Sequence, residues 1–138
     1  MAHDEPLWQP TVEAVRASNI TRFMAYMARH YGTWFADSRD LHAFSVRVPE
    51  VFWPALWDFF GIVGEKGHGP YLKDGGKMPG AQFFPDARLN FAENLLARPG
   101  HEPAVVFWGE DRVKRRLQWE ELTAQVSRLQ QWLKSHGV

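Results

Sequence analysis

The stretch Pro49-Glu50-Val51-Phe52-Trp53-Pro54-Ala55-Leu56-Trp57-Asp58-Phe59-Phe60 constrains the fold more than any other part of the sequence. Read as a helix, it carries Val51, Phe52, Trp53, Leu56, Trp57, Phe59 and Phe60, so apolar side chains spread far beyond a one-sided stripe. Such a helix must be covered on most of its circumference, and it predicts the centre of the amino-terminal half. Each of these side chains, fully hidden, contributes roughly 1.5–3 kcal/mol. Pro49 suits a first helical position, Pro54 is tolerable only near the first turn because it lacks an amide proton, and Gly61 ends the element.

The elements before it follow from caps and spacing. Pro10 opens a helix over Thr11 to Ala17, and Ser18-Asn19 supplies side-chain oxygens that cap a second. In that second helix, 19 to 31, Ile20, Phe23, Met24, Met27 and Tyr31 fall at offsets of three, four, seven and eleven, which puts them on one stripe before Gly32 stops it. Asp37 or Ser38 caps a third helix with Leu41, Phe44 and Ser45 facing inward, and Val48-Pro49 turns a corner.

After Gly61 the character changes. Seven glycines, two prolines and three lysines between Gly61 and Gly80 read as a long surface loop. Ala81 to Phe84 is extended, Asp86 or Leu89-Asn90 starts a short helix through Leu96, and Arg98-Pro99-Gly100 breaks it, which places a boundary near residue 98. Beyond lies a strand, Ala104 to Trp108, a turn at Gly109-Glu110-Asp111 and a more polar strand, Val113 to Trp119. A last helix presents Leu122, Val126, Leu129 and Leu133 and is capped by Gly137. The order is α+β. A hairpin with one helix is marginal by itself, so its apolar faces call for partners.

Few chemistries survive. Sixteen basic and sixteen acidic residues cancel, which argues against a general nucleic-acid or anionic-membrane binder. The absence of cysteine removes disulfides, thiolate nucleophiles and cysteine-ligated zinc, and fits a reducing, cytoplasmic setting. No apolar run reaches the roughly eighteen residues of a membrane span, and the acidic start is unlike a secretory signal.

The Gly64 to Gly80 loop invites a phosphate-cradle reading, yet neither Gly-x-x-x-x-Gly-Lys-[Ser/Thr] nor Gly-x-Gly-x-x-Gly occurs, and glycine runs mostly serve turns. The six histidines (His3, His30, His42, His68, His101, His136) never take metal-site spacing; His30, Asp37, Asp40 and His42 are equally accounted for by helix ends. Ser45 and Ser127 lack the elbow that exposes a nucleophile. Arg112, Lys114, Arg115 and Arg116, near Trp108 and Trp119, suggest a stacking platform, but strand alternation splits them between two faces. The pairs Glu120-Glu121 and Asp4-Glu5 suit helix starts or tails better than acid/base dyads. The expected catalytic, cofactor-binding and metal residues in this chain are none.

Three segments carry a resemblance. Ser18-Asn19-Ile20-Thr21-Arg22-Phe23, then Phe44-Ser45-Val46 to Pro49-Glu50-Val51-Phe52-Trp53 and Leu56-Trp57-Asp58-Phe59-Phe60-Gly61-Ile62, resemble the amino-terminal region of the acetoacetyl-CoA synthetases. Leu89-Asn90-Phe91-Ala92-Glu93-Asn94-Leu95-Leu96 is similar to the box that ends this region, which acetyl-CoA synthetases share in looser form. From Pro103-Ala104-Val105-Val106 through Leu117-Gln118-Trp119-Glu120-Glu121-Leu122 to Gly137-Val138 the order resembles the opening of the adenylate-forming (AMP-binding) domain. Two positions depart from the pattern: Asp86 follows Phe83-Phe84-Pro85 where the family usually has glycine, and Gln118 stands for a common threonine.

The resemblance implies a mainly helical amino-terminal cap over residues 1–98, followed from 99 to 138 by the hairpin and helix that begin an incomplete AMP-binding domain. It implies a two-step ligase in which acetoacetate, ATP and magnesium give an acyl-adenylate and pyrophosphate, and the thiol of coenzyme A then displaces AMP. The family's phosphate loop, ribose-binding acid, acyl pocket and adenylation lysine would all lie beyond residue 138. ATP, magnesium and CoA are thus expected of the larger enzyme, none of them of this stretch, whose partner would be the remainder of the domain. Two alternatives stay open: a ligase for another short acyl acid, and a free-standing helical module whose aromatic groove holds a partner's helix or peptide. Exposed apolar faces and an open strand edge also predict self-association.

Overall fold

The structure, a computed structural model, describes residues 6–98 and 100–138, so His3, Asp4-Glu5 and Pro99 lie outside the described residues. The elements run α1 (Val12–Ala17), α2 (Asn19–Tyr31), α3 (Ser38–Arg47), α4 (Pro49–Phe60), β1 (Leu72–Lys73), β2 (Gln82–Phe83), α5 (Phe91–Leu95), β3 (Pro103–Trp108), β4 (Lys114–Gln118) and α6 (Trp119–Ser135). The arrangement is α+β, with two separate two-stranded antiparallel sheets. Contacts divide the chain into one unit ending at Arg88 and a second from Leu89 to Val138. That division falls before α5, whereas the change of sequence pattern lies near residue 98.

Local chemistry sets the helix ends of the first unit. The Ser18 hydroxyl accepts from the Thr21 amide at 3.2 Å and caps α2, while the Thr21 hydroxyl donates to the Val15 carbonyl at 2.7 Å and ties down the end of α1. The Asp37 carboxylate accepts from the Arg39 and Asp40 amides at 2.8 and 3.0 Å to start α3. Pro49 opens α4, and Gly61, at φ +62°, lets the Ile62 amide reach the Trp57 carbonyl and the Gly61 amide reach Asp58. Only a residue without a Cβ adopts that left-handed cap cheaply.

The core lies where α2, α3 and α4 meet and consists of Phe23, Met27, Leu41, Phe44 and Ala55. Met27 is wholly inaccessible. The stripe expected on α2 is thus buried at its middle, while Ile20 and Tyr31, at the two ends of the helix, are exposed. Phe23 meets the Phe52 and Phe59 rings edge-on at 5.6 and 5.1 Å, the offset geometry that the aromatic quadrupole favours.

α4 departs from expectation. Among the described residues only Pro54 and Ala55 of this helix are buried; Val51, Phe52, Leu56, Trp57 and Phe59 are half-buried, and Trp53 and Phe60 are exposed. The helix packs against α2 and α3, which cover part of its circumference and leave an apolar flank. Pro54 sits in the second turn rather than the first. It cannot donate to the Glu50 carbonyl, but Glu50 is exposed and water serves that oxygen.

The glycine-rich stretch is more ordered than a long surface loop. β1 pairs with β2, the Phe84 amide donates to Tyr71, and Glu65 and Arg88 exchange two backbone bonds of 2.8 and 2.9 Å. Residues 65–88 therefore form an irregular hairpin closed at its base.

In the second unit Asn90 caps α5, its carboxamide accepting from the Ala92 and Glu93 amides. β3 and β4 pair with an irregularity between Pro103 and Val105. α6 starts where the Gln118 amide donates to the Glu121 carboxylate at 2.9 Å, so the departure at 118 keeps a working cap. It ends with Val138 donating to Leu133 and Gly137 to Lys134, Gly137 standing at φ +80°. No described residue of this unit is buried; Phe107 is 56% and Leu129 58% exposed.

Two residues of the same α2 stripe separate core from surface. Phe23→Ala is expected to lower the unfolding free energy by about 3–5 kcal/mol, and Ile20→Ala to change it by about 0.5 kcal/mol or less, in urea titrations followed by tryptophan fluorescence.

Candidate functional site

The residues singled out from sequence mostly serve the fold. Asp37 and Asp40 face backbone amides: Asp37 caps α3, and the Asp40 carboxylate accepts from the Ala36 amide at 3.1 Å. The Asp40 and Arg39 amides hold the Asp37 carboxyl below its ordinary value. His30 lies on the Tyr26 ring with centroids 4.3 Å apart, and His42 donates its carbonyl to the Ser45 hydroxyl as acceptor at 2.7 Å. His68 is exposed. His136 packs on Trp132 at the end of α6. Among the described residues no three His, Cys, Asp or Glu side chains gather to hold a metal.

The cationic run splits as alternation requires. Val105, Phe107, Arg115 and Leu117 share one face of the hairpin with Gln125 of α6. Lys114 places its ammonium 5.0 Å from the centre of the Trp108 ring on its direct cross-strand partner. Trp119 begins α6, where its amide donates to the Glu102 carbonyl. Glu120 accepts from, or pairs with, His101 Nδ1 at 3.1 Å, and Glu121 caps the helix. Both acids are spent on the helix start.

Concave surface is present without an evident reacting group. Leu96, Ala97, Arg98, Gly100, Glu120, Thr123, Ala124 and Ser127 line an open groove of about 610 Å³. The Ser127 hydroxyl there accepts from Gln131, so no base addresses it. In the first unit α1, α2 and the start of α3 enclose a groove of about 470 Å³ with Val15, Ile20 and Met24 on its walls. Both are suited to apolar docking rather than bond chemistry.

One ionic contact escaped the sequence reading. Lys66 Nζ bonds both Asp58 carboxylate oxygens at 2.7 Å and lies 5.5 Å from the Tyr71 ring centre. Burial pulls the ammonium's pKa down, but the Asp58 hydrogen bond and charge, with Tyr71 and Tyr31, outweigh it and the net value is raised. The pair fastens the glycine-rich hairpin to α4. Nothing in the sequence marked it, because the partners meet only once Gly61 has reversed the chain.

No family model matches the chain. Its fold is similar to a solved acetoacetyl-CoA synthetase from Streptomyces lividans, with a TM-score of 0.78 at 35% identity over 97% of this chain and 21% of that one. All 138 residues align at 45% identity with 21% of the acetoacetyl-coenzyme A synthetase of Rhizobium meliloti (strain 1021). The chain is homologous to the amino-terminal part of the acetoacetyl-CoA synthetases. It spans about a fifth of the length of the relatives it matches. A malonamoyl-CoA synthetase of Penicillium aethiopicum is 28% identical over 139 residues, 96% of this chain and 19% of that protein. The resemblance drawn from Ser18, Pro49 to Gly61 and the Leu89 to Leu96 box therefore stands. No helix among the described residues is long and apolar enough to cross a membrane.

The Lys66 contact has a pH signature. With the folded pKa raised above 10.5, its contribution is fully present below that value and is lost as pH rises through the folded one. The melting-temperature difference between the parent and Lys66→Gln is expected to hold steady to pH 10 and to shrink above it.

Proposed function

We propose that this chain is the amino-terminal scaffold of an ATP-dependent acyl-CoA ligase working in the cytoplasm, with acetoacetate as acyl acid. The carrying observation is the 45% identity that runs without remainder through all 138 residues to an acetoacetyl-CoA synthetase. In this reading the larger protein joins acetoacetate to ATP, releases pyrophosphate with magnesium, and passes the acyl group from AMP to the thiol of CoA.

The contribution of residues 1–98 is position. α2, α3 and α4 present a rigid aromatic block whose exposed flank, Trp53 and Phe60 included, is shaped to lie against further polypeptide. Residues 99–138 begin the adenylate-forming domain, and the remainder of that domain is the partner. ATP, magnesium and CoA bind to that remainder rather than here.

The malonamoyl-CoA synthetase relative supports a second acyl acid within the same chemistry. A free-standing interaction module is favoured by a different observation. Trp53, Leu56, Trp57, Phe60, Ile62 and Phe84 line an apolar hollow of about 170 Å³ that would seat a helix side chain of a partner.

ATP–pyrophosphate exchange decides between these. The 138-residue chain is expected to show no exchange above buffer with acetoacetate or malonamate; exchange at a synthetase's rate overturns the scaffold reading. Codons beyond 138 are expected to encode a loop rich in Ser, Thr and Gly, and a stop codon there favours the module.

A further inference from the structure

The hairpin of the second unit has two outer edges of unlike character. β4 carries Lys114, Arg115 and Arg116 in succession, the kind of charge that keeps an edge from pairing. β3, Pro103-Ala104-Val105-Val106-Phe107-Trp108, carries no charge at all. Its only strand neighbour among the described residues is β4, and Val106 and Trp108 are 52% and 66% exposed.

Backbone register identifies the groups that face outward. The Gly109 amide donates to the Val113 carbonyl at 2.6 Å. Stepping back along paired residues, Phe107 with Arg115 and Val105 with Leu117 also turn their amides and carbonyls inward. The amides and carbonyls of Val106 and Trp108 therefore point away from β4. Pro103, which has no amide proton, stands at the strand's first position, where it costs the edge no central donor.

We propose that β3 pairs antiparallel with β3 of a second copy, in a two-fold register centred on Val106. In that register Val106 opposes Val106, Val105 opposes Phe107 and Ala104 opposes Trp108, so every cross-strand pair is apolar. Charge selects this occupant: pairing β4 with β4 sets cations opposite one another, and only the β3 edge is self-complementary. A β3-to-β4 contact between copies leaves open edges at both ends and runs on into fibres instead of closing. The proposal concerns this chain by itself and does not rest on the ligase reading.

Sedimentation of the 138-residue chain across a concentration series, with hydrogen exchange at the high and low ends, tests it. A closed dimer is expected, with slowed exchange at the Val106 and Trp108 amides and none added at Phe107. Val106→Lys, at an exposed position checked for folding by circular dichroism, is expected to weaken dimerisation at least about tenfold by opposing like charges. Leu129→Lys on α6 is expected to leave it unchanged. A monomer throughout, open-ended growth, or a dimer lost in Leu129→Lys and kept in Val106→Lys overturns the proposal.

Discussion

The edge-on contact of Phe23 with Phe52 and Phe59 is what the first unit is built around. Two aromatic rings from one helix grip one ring of another, which fixes both the distance and the rotation of α2 against α4. With that crossing set, Met27 and Ala55 fall inside, and α3 closes the remaining side with Leu41 and Phe44. The Phe35 ring lies edge-on to Phe44 at 5.4 Å and extends the same packing towards the chain that leads into α3. The glycine-rich hairpin is then held from outside, by Lys66 on Asp58 and by Phe84 against Trp57.

The second unit rests on different forces. It holds none of the described buried residues, so hydrogen bonding along β3 and β4 and the caps of α5 and α6 organise it, with apolar burial only partial. A two-stranded sheet with one helix is at the edge of independent stability. Its exposed aromatic and aliphatic side chains are the surface by which such a unit gains what it lacks, whether from further polypeptide or from another copy. The first unit needs nothing of the kind at its core, although the flank of α4 shows the same unfinished character.

What was legible in the sequence was local. Ser18, Asp37, Asn90 and Gly61 act within four residues of themselves, so their capping roles follow from side-chain chemistry and spacing alone, and the element boundaries came with them. The aromatic density of Pro49 to Phe60 was equally plain, but which of its sides is covered depends on neighbours in space, and a hydrophobic count assigns burial to all of them. The hairpin over 65–88 was missed for the same reason. Its base is the pairing of Glu65 with Arg88, two residues whose types carry no trace of it, while the glycines between them read only as turns. At the candidate site the histidines and acids could be weighed one by one against helix ends, and that weighing needs no tertiary knowledge. The Lys66 contact did.

The residues that carry the family likeness explain what kind of likeness it is. Asn90 caps α5 with its carboxamide, and its carbonyl accepts both the amide and the side chain of Asn94 four residues on, so two positions of the Leu-Asn-x-Ala-Glu-Asn box close one helical turn. Ser18 and Thr21 bind α1 to α2, Pro49 starts α4, and Gly61 reverses the chain after it. Each is a backbone device. Similarity built on such residues reports that the same path of chain is being held in place, and it is compatible with relatives whose names specify different acyl groups. Changes at these positions would act first on folding, since a lost cap leaves amides unsatisfied whatever acid the larger enzyme activates.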